Sequence, residues 1–285
     1  MTVVVAVKVY DGIVLATDSA TALPIVDGAG NTVDHQVWNN ADKLFQLHRD
    51  LSIGLATWGR GQIQAASIAT IAKDLRRRLM GRDPTHADWS LDPDNYSLSD
   101  VAERLVQLMY DELDSKTPRA QAMFLGFILA GYSAGLHHPE AWEIKFSDPN
   151  QRPVPHKFWD VDDVGWWVAG QPDAACRLFN GFSPSFKGNV LAAIDPAQQP
   201  TVSDLFAAEG RPCAIAPMPF ADAIALAKFC ADVTIGYTRF IPGADTVGGP
   251  VDVAGISRHE GFKWIYRKHY YPPEINPRRP HEHDQ

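Results

Sequence analysis

The sequence predicts an α+β fold in which antiparallel sheets are covered by helices. Three observations carry that prediction. Strand-like runs come in groups separated by pairs of helical patterns, without the strand-by-strand alternation of a parallel α/β chain. The chain opens on a hairpin signal, and it closes on two more strand-like runs. Its 285 residues are 45% hydrophobic and 10% aromatic, enough for a substantial core.

Val3 to Val9 is rich in β-branched residues, Asp11-Gly12 is a hairpin turn pair, and Ile13 to Thr17 resumes the apolar run. A loop with Asp27-Gly28 and Gly30-Asn31 follows, then strands over Leu44 to His48 and Leu51 to Ala56 around an Arg49-Asp50 turn. From Gly59 to Met80 the residues Ile63, Ala66, Ile68, Ile71, Leu75 and Leu79 recur at helical steps until Gly81 stops them. After a Pro/Asp-rich loop, Ser99 starts a second helix through Leu113. Strands are expected over Met123 to Ala130, Ala141 to Phe146 and Val164 to Ala169, then a helix from Pro172 to Phe182. A weakly patterned Pro- and Gly-containing region leads to a helix over Phe220 to Thr238, and Pro250 to Ile256 and Phe262 to Tyr266 are the last strands. Residues 1–270 therefore read as one domain and 271–285 as a Pro- and charge-rich tail, in which His281-Glu282-His283 reads as solvated. No internal repeat is present.

A formal net charge of -8 argues against nucleic-acid binding, which usually needs a basic face. The run Arg76-Arg77-Arg78 is short and suits a solvated helix face or a partner subunit. Cys176, Cys213 and Cys230 are odd in number and widely spaced, which suggests neither a disulfide scaffold nor a zinc site. The apolar start is too short for a signal peptide, and no run approaches the roughly 20 residues of a membrane span. The expected location is cytoplasmic.

Thr2 carries the chemistry. Removal of Met1 would put a hydroxyl nucleophile and a free α-amine on one residue, and such an amine titrates near ~7.7–8. Thr2 heads the first strand and Asp18 ends its partner, so antiparallel pairing brings the two together. Lys43, just before Leu44-Phe45, supplies a cation that could stabilise an alkoxide.

Thr2 through Asp18-Ser19, with the block Lys43-Leu44-Phe45-Gln46-Leu47 and Ile53-Gly54-Leu55-Ala56, resembles the proteasome β-subunit family of N-terminal nucleophile (Ntn) hydrolases. The resemblance implies a four-layer αββα sandwich, two antiparallel sheets between helix layers. It implies a threonine-type peptidase or amidohydrolase with Thr2 as nucleophile, its α-amine as base, Lys43 as the stabilising cation and Asp18 as its partner. Matching the block assigns Leu55 to the floor of the first specificity pocket, with Thr21 and Ala22 nearby, and the Thr57 amide to the oxyanion. Asp245-Thr246-Val247-Gly248-Gly249 looks like the family's Asp-x-x-Ser-Gly segment, which makes Asp245 a supporting residue and leaves Gly248 where a serine stands. Gln171, after Ala169-Gly170, likewise replaces a supporting serine, and the loop between Asp18 and Lys43 is longer than usual.

The implied partners are peptide or protein substrates, further copies of the chain in a ring-like assembly, and an ATP-driven unfoldase. No cofactor, metal, nucleic acid or membrane is called for. Two other readings compete. The fold could serve as a structural subunit without chemistry. Gly131-Tyr132-Ser133-Ala134-Gly135 matches the G-x-S-x-G elbow of serine hydrolases, but a strand follows it where an elbow needs a helix. His137-His138 with Glu140, and His259-Glu260, lack the spacing of a helical zinc site and read as surface loops.

Overall fold

In the computed structural model, which describes residues 2–113, 124–148, 150–243 and 245–269, β1 (Val3–Val9) and β2 (Gly12–Thr17) form the opening hairpin. A second hairpin follows, β3 (Thr21–Val26) and β4 (Thr32–Trp38), where the sequence suggested only a loop. Its strands pair with each other and with no sheet, their residues are exposed or half-buried, and Pro24 interrupts the apolar run Ala22 to Val26, which weakens it as a strand signal. At its tip the Asp27 carboxylate accepts the Ala29 and Asn31 N–H groups, an Asx-type closure that explains the turn residues there.

β5 (Leu44–Gln46) and β6 (Ile53–Gly59) are the expected strand pair. The first helix, α1 (Ile68–Leu79), begins later than its periodicity suggested, because Gln62–Ile63 (β7) and Ala66–Ser67 (β8) make a miniature hairpin with Gln64 at φ 53°. Ser67 then caps α1 by accepting the Thr70 N–H. α2 (Leu98–Val106) is capped by Ser97, two residues before the expected start, and continues as a π-helix over Gln107–Leu113. β9 (Leu125–Gly131), β10 (Glu140–Phe146), β11 (His156–Trp159) and β12 (Gly165–Gly170) follow; β11 was not expected, and Met123 lies outside the described residues.

α3 (Asp173–Asn180) stops at Gly181, which adopts φ 81°. α4 (Pro184–Ala193) and α5 (Gln199–Glu209) occupy the weakly patterned region; neither buries a residue, so neither leaves an apolar stripe in the sequence. α6 (Phe220–Arg239), β13 (Asp252–Ser257) and β14 (Gly261–Tyr266) complete the described fold. The tail with His281, Glu282 and His283 lies outside the described residues.

The main strands form two five-stranded antiparallel sheets, ordered β12-β1-β2-β13-β14 and β11-β10-β9-β6-β5. Alternation along β1 explains their packing. Val4 and Ala6 join Leu15, Ala56, Ile128 and Ala130 in a cluster drawn from both sheets. Val3, Val5, Val7 and Val9 point the other way, into a cluster with Ala223, Ala227 and Ala231 of α6. In the second sheet Ile53 and Leu55 pack with Ile71 and Leu75 of α1 and Val101 and Leu105 of α2. Gly54 permits the close approach of the sheets, since a Cβ there would lie 2.7 Å from Ile256 Cδ1. Each fully buried aliphatic side chain contributes roughly 1.5–3 kcal/mol, so these clusters hold β1 firmly behind Thr2. Among the described residues no helix is long and apolar enough to cross a membrane.

Candidate active site

The hairpin register brings Val4 opposite Thr17, so the residues just beyond, Val3 and Asp18, meet at its open end. The Asp18 N–H donates to the Val3 carbonyl at 3.3 Å, and the Val3 N–H donates to Asp18 Oδ1 at 3.1 Å. Lys43 Nζ donates to that same oxygen at 2.7 Å. The other oxygen, Oδ2, accepts the N–H groups of Ala20 (3.1 Å) and Gly248 (3.0 Å). Asp18 is completely buried and Lys43 is 6% exposed. A buried charge persists only with partners, and this carboxylate has four hydrogen-bond donors.

Burial pushes the Lys43 ammonium below the ordinary lysine range, the adjacent Asp18 opposes this, and the positive charge of Lys268 adds to it. Lys268 is itself tied to Asp252 through its main-chain N–H at 2.9 Å and through its ammonium, and lies 3.6 Å from Asp42.

Thr2 is 5% exposed and precedes Val3, so it sits one peptide bond from the Asp18 contact. β12 closes against it: Val3 pairs with Gly170, and a Cβ on Gly170 would lie 1.9 Å from the Thr2 carbonyl oxygen. Gly170 also has φ 80°, which favours glycine. Gln171 follows directly, with its N–H donating to the Ala169 carbonyl.

Ser19 joins three segments. Its N–H donates to the Gly248 carbonyl at 2.9 Å, its carbonyl accepts from the Ala41 N–H at 2.9 Å, and its hydroxyl donates to the Pro250 carbonyl at 2.6 Å. The segment around Gly248 thus reaches Asp18 through main-chain groups. Asp245, expected to support the site, is exposed, and it is the Gly248 N–H that reaches the Asp18 carboxylate. A hydroxyl at position 248 would have room, because the nearest atom to a Cβ there is Asn39 Oδ1 at 3.6 Å.

Two expectations need correction. The Thr57 N–H donates to the Lys43 carbonyl at 2.9 Å, so it is spent on the β5 edge and is not free to meet an oxyanion; its hydroxyl bonds the Gly126 carbonyl at 3.1 Å. Two residues farther along the same edge stands Gly59, beyond the start of β5 and at φ 94°. Leu55 is completely buried in the cluster beneath α1 and α2, so it floors no open pocket. A glycine at positive φ where a strand ends is a feature the sequence could have singled out on this edge.

Thr21 and Ala22 are half-buried at the root of the β3–β4 hairpin. Thr21 Oγ1 lies 3.7 Å from where a Cβ of Gly61 would stand, so the hairpin root and the end of β6 face each other.

Ser133, the rival nucleophile, lies in the connection from β9 to β10 and is 9% exposed. Its hydroxyl donates to Glu140 and accepts the Leu98 N–H at 2.8 Å, while Glu140 is paired with Lys157 at 2.7 Å. These bonds tie the turn to the start of α2. Among the described residues no group of three or more His, Cys, Asp or Glu side chains could hold a metal ion. No protein-family model matches the chain, and no curated protein matches it either.

Proposed function

We propose that the chain is a threonine-type amide hydrolase of the N-terminal nucleophile kind, built as a four-layer αββα sandwich and acting on peptides within an assembly of its own copies. The observation that carries this reading is the shared oxygen of Asp18, which accepts both Lys43 Nζ and the Val3 N–H beside Thr2. The layer order is supported by the three apolar clusters, one between the sheets and one under each helix pair. Assembly is supported by large apolar side chains left in water, such as Phe240 at 85% and Leu205 at 67% exposure.

After Met1 removal the Thr2 hydroxyl oxygen attacks the substrate carbonyl carbon, and its proton passes to the α-amine. That proton moves on to the departing amine as the C–N bond breaks, leaving an ester on Thr2. Water, deprotonated by the same amine, then hydrolyses the ester. Lys43 stabilises negative charge on the hydroxyl oxygen, Asp18 holds Lys43, and the Gly59 N–H is the main-chain donor for the oxyanion. The hairpin root at Thr21 and Ala22 and the chain after β6 would flank the substrate.

A structural subunit without chemistry is the second reading, favoured by Gly248 and Gln171, which supply no serine hydroxyls. Intact mass and a threonine-directed epoxyketone separate the two. Loss of Met1 with covalent labelling that disappears in Thr2→Ala supports the hydrolase. Retained Met1, or an assembled protein that never labels, supports the structural subunit.

A further inference from the structure

On the far side of β5 from the sheet core, α1, β5 and the ends of β13 and β14 enclose a cleft lined by Gln46, Lys73, Arg76, Trp264 and Arg267. Its two acidic lining residues, Asp42 and Asp252, are both engaged by Lys268. The arginines are not engaged. Among the described residues the side chains of Arg49, Arg76, Arg82 and Arg267 make no hydrogen bond and no salt bridge, apart from the stacking of Arg267 on Trp264 at 4.6 Å. Their neighbours Arg77 and Arg78 do find carboxylates, at Asp74 and at Asp83 and Glu112. Within one run of three arginines, Arg77 and Arg78 are paired with carboxylates, and the half-buried Arg76 faces a cleft whose two carboxylates are engaged by Lys268.

Burial, then the charges of Arg82, Arg267 and Arg49, push the Arg76 guanidinium below the ordinary arginine range, and the charge of Asp50 opposes them. His48 offers Arg76 no acceptor through Nδ1, which already accepts the Asp50 and Leu51 N–H groups, and burial holds its imidazole below the ordinary histidine range. A half-buried guanidinium with five unused donors, set against like charges, is the chemistry of a site awaiting an anion.

We propose that this cleft binds a phosphate group, with Arg76 and Arg267 as the principal ligands and Lys73 and Gln46 at its rim. Phosphate suits the site better than one carboxylate, because two guanidinium groups, those of Arg76 and Arg267, line it and a multivalent oxyanion can accept from both. The proposal does not depend on the hydrolase reading, since none of these residues touches Thr2 or Asp18.

Calorimetry on the full chain at constant ionic strength tests it, with inorganic phosphate, ATP and a polyglutamate peptide as separate probes. Saturable one-to-one binding of phosphate or ATP is expected, weakened at least about tenfold in an Arg76→Gln/Arg267→Gln protein that circular dichroism shows to be folded. Tighter binding of ATP than of phosphate identifies a phosphate ester or polyphosphate as the source, and equal binding identifies the free ion. Lys228→Gln is the control, removing a cation paired on the surface of α6, and should leave the affinity unchanged. Non-saturating heats, equal affinity in the folded double variant, or polyglutamate binding more tightly than both phosphates would overturn the proposal.

Discussion

Asp18 and Lys43 are unequal partners: the carboxylate receives four hydrogen bonds, three of them from main-chain N–H groups, whereas the ammonium, among the described residues, donates to Asp18 alone. Removing either therefore has different consequences. Asp18→Ala leaves a buried ammonium and three orphaned N–H groups, and is expected to cost about 3–5 kcal/mol. Lys43→Met keeps the three main-chain donors on the carboxylate and should cost roughly 1–3 kcal/mol. Urea titration of the two variants checks the order, and equal losses would contradict it. Both should abolish amide hydrolysis.

Gly170 and Gly248 flank the same site with opposite tolerance. A methyl group at position 170 meets the Thr2 carbonyl at 1.9 Å in a backbone conformation with φ 80°, so Gly170→Ala should lose roughly 2–4 kcal/mol and displace Thr2. Gly248→Ser has space and should change stability by less than about 0.5 kcal/mol. It also supplies a hydroxyl beside the main-chain link to Asp18, and a faster reaction of Thr2 with the epoxyketone is expected. Thermal unfolding and labelling rates provide the two readouts.

Thr57→Val should leave the hydrolysis rate within about twofold, because the hydroxyl it removes is held by the Gly126 carbonyl and the main-chain N–H stays on the Lys43 carbonyl. Losing the hydroxyl bond to Gly126 should cost about 1 kcal/mol. A loss of several hundredfold in kcat without unfolding would instead give the Thr57 hydroxyl a part in the reaction.

Lys8 gives the fold a pH dependence remote from Thr2. Its side chain is 1% exposed and donates to the Asp160 and Val161 carbonyls. Burial lowers its pKa to about 8, against the attraction of Asp163, Asp160, Asp162 and Glu140. Between about 8 and the ordinary value of 10.5 the unfolded chain holds more protons than the folded one, so stability rises with pH across that window. The rise should total up to about 3 kcal/mol. Comparing wild type with Lys8→Met by denaturant titration from pH 7 to 10.5 should show the gap moving in favour of wild type, and a constant gap would refute the assignment.

The opening hairpin was legible because Asp11-Gly12 joins two runs that are buried along their whole length. Asp18 was legible because its strand pairs locally with the one that follows Thr2, whereas its contact with Lys43, 25 residues on, was read only through the resemblance. The β3–β4 hairpin escaped because Pro24 breaks the strand pattern of Ala22 to Val26 and because Thr32–Trp38 carries only scattered apolar residues. α4 and α5 escaped for another reason: helices that bury nothing carry no stripe. Ser67 and Ser97 were the signals that could have corrected the helix starts, since the side-chain oxygen of each accepts a main-chain N–H of the first turn. The contact of Gly248 with Asp18 spans 230 residues, and nothing in a local pattern announces it.

The β3–β4 hairpin leaves the body of the protein at Asp18 and returns at Lys43, the two residues that are bonded to each other. The ion pair is therefore the clasp at the neck of a closed chain segment. Closure entropy grows only with the logarithm of length, about 0.6 kcal/mol for each doubling. The arm beyond the clasp can be lengthened, shortened or recomposed at small energetic expense while the neck keeps its geometry. What the arm touches is free to diversify without retuning the chemistry at its base.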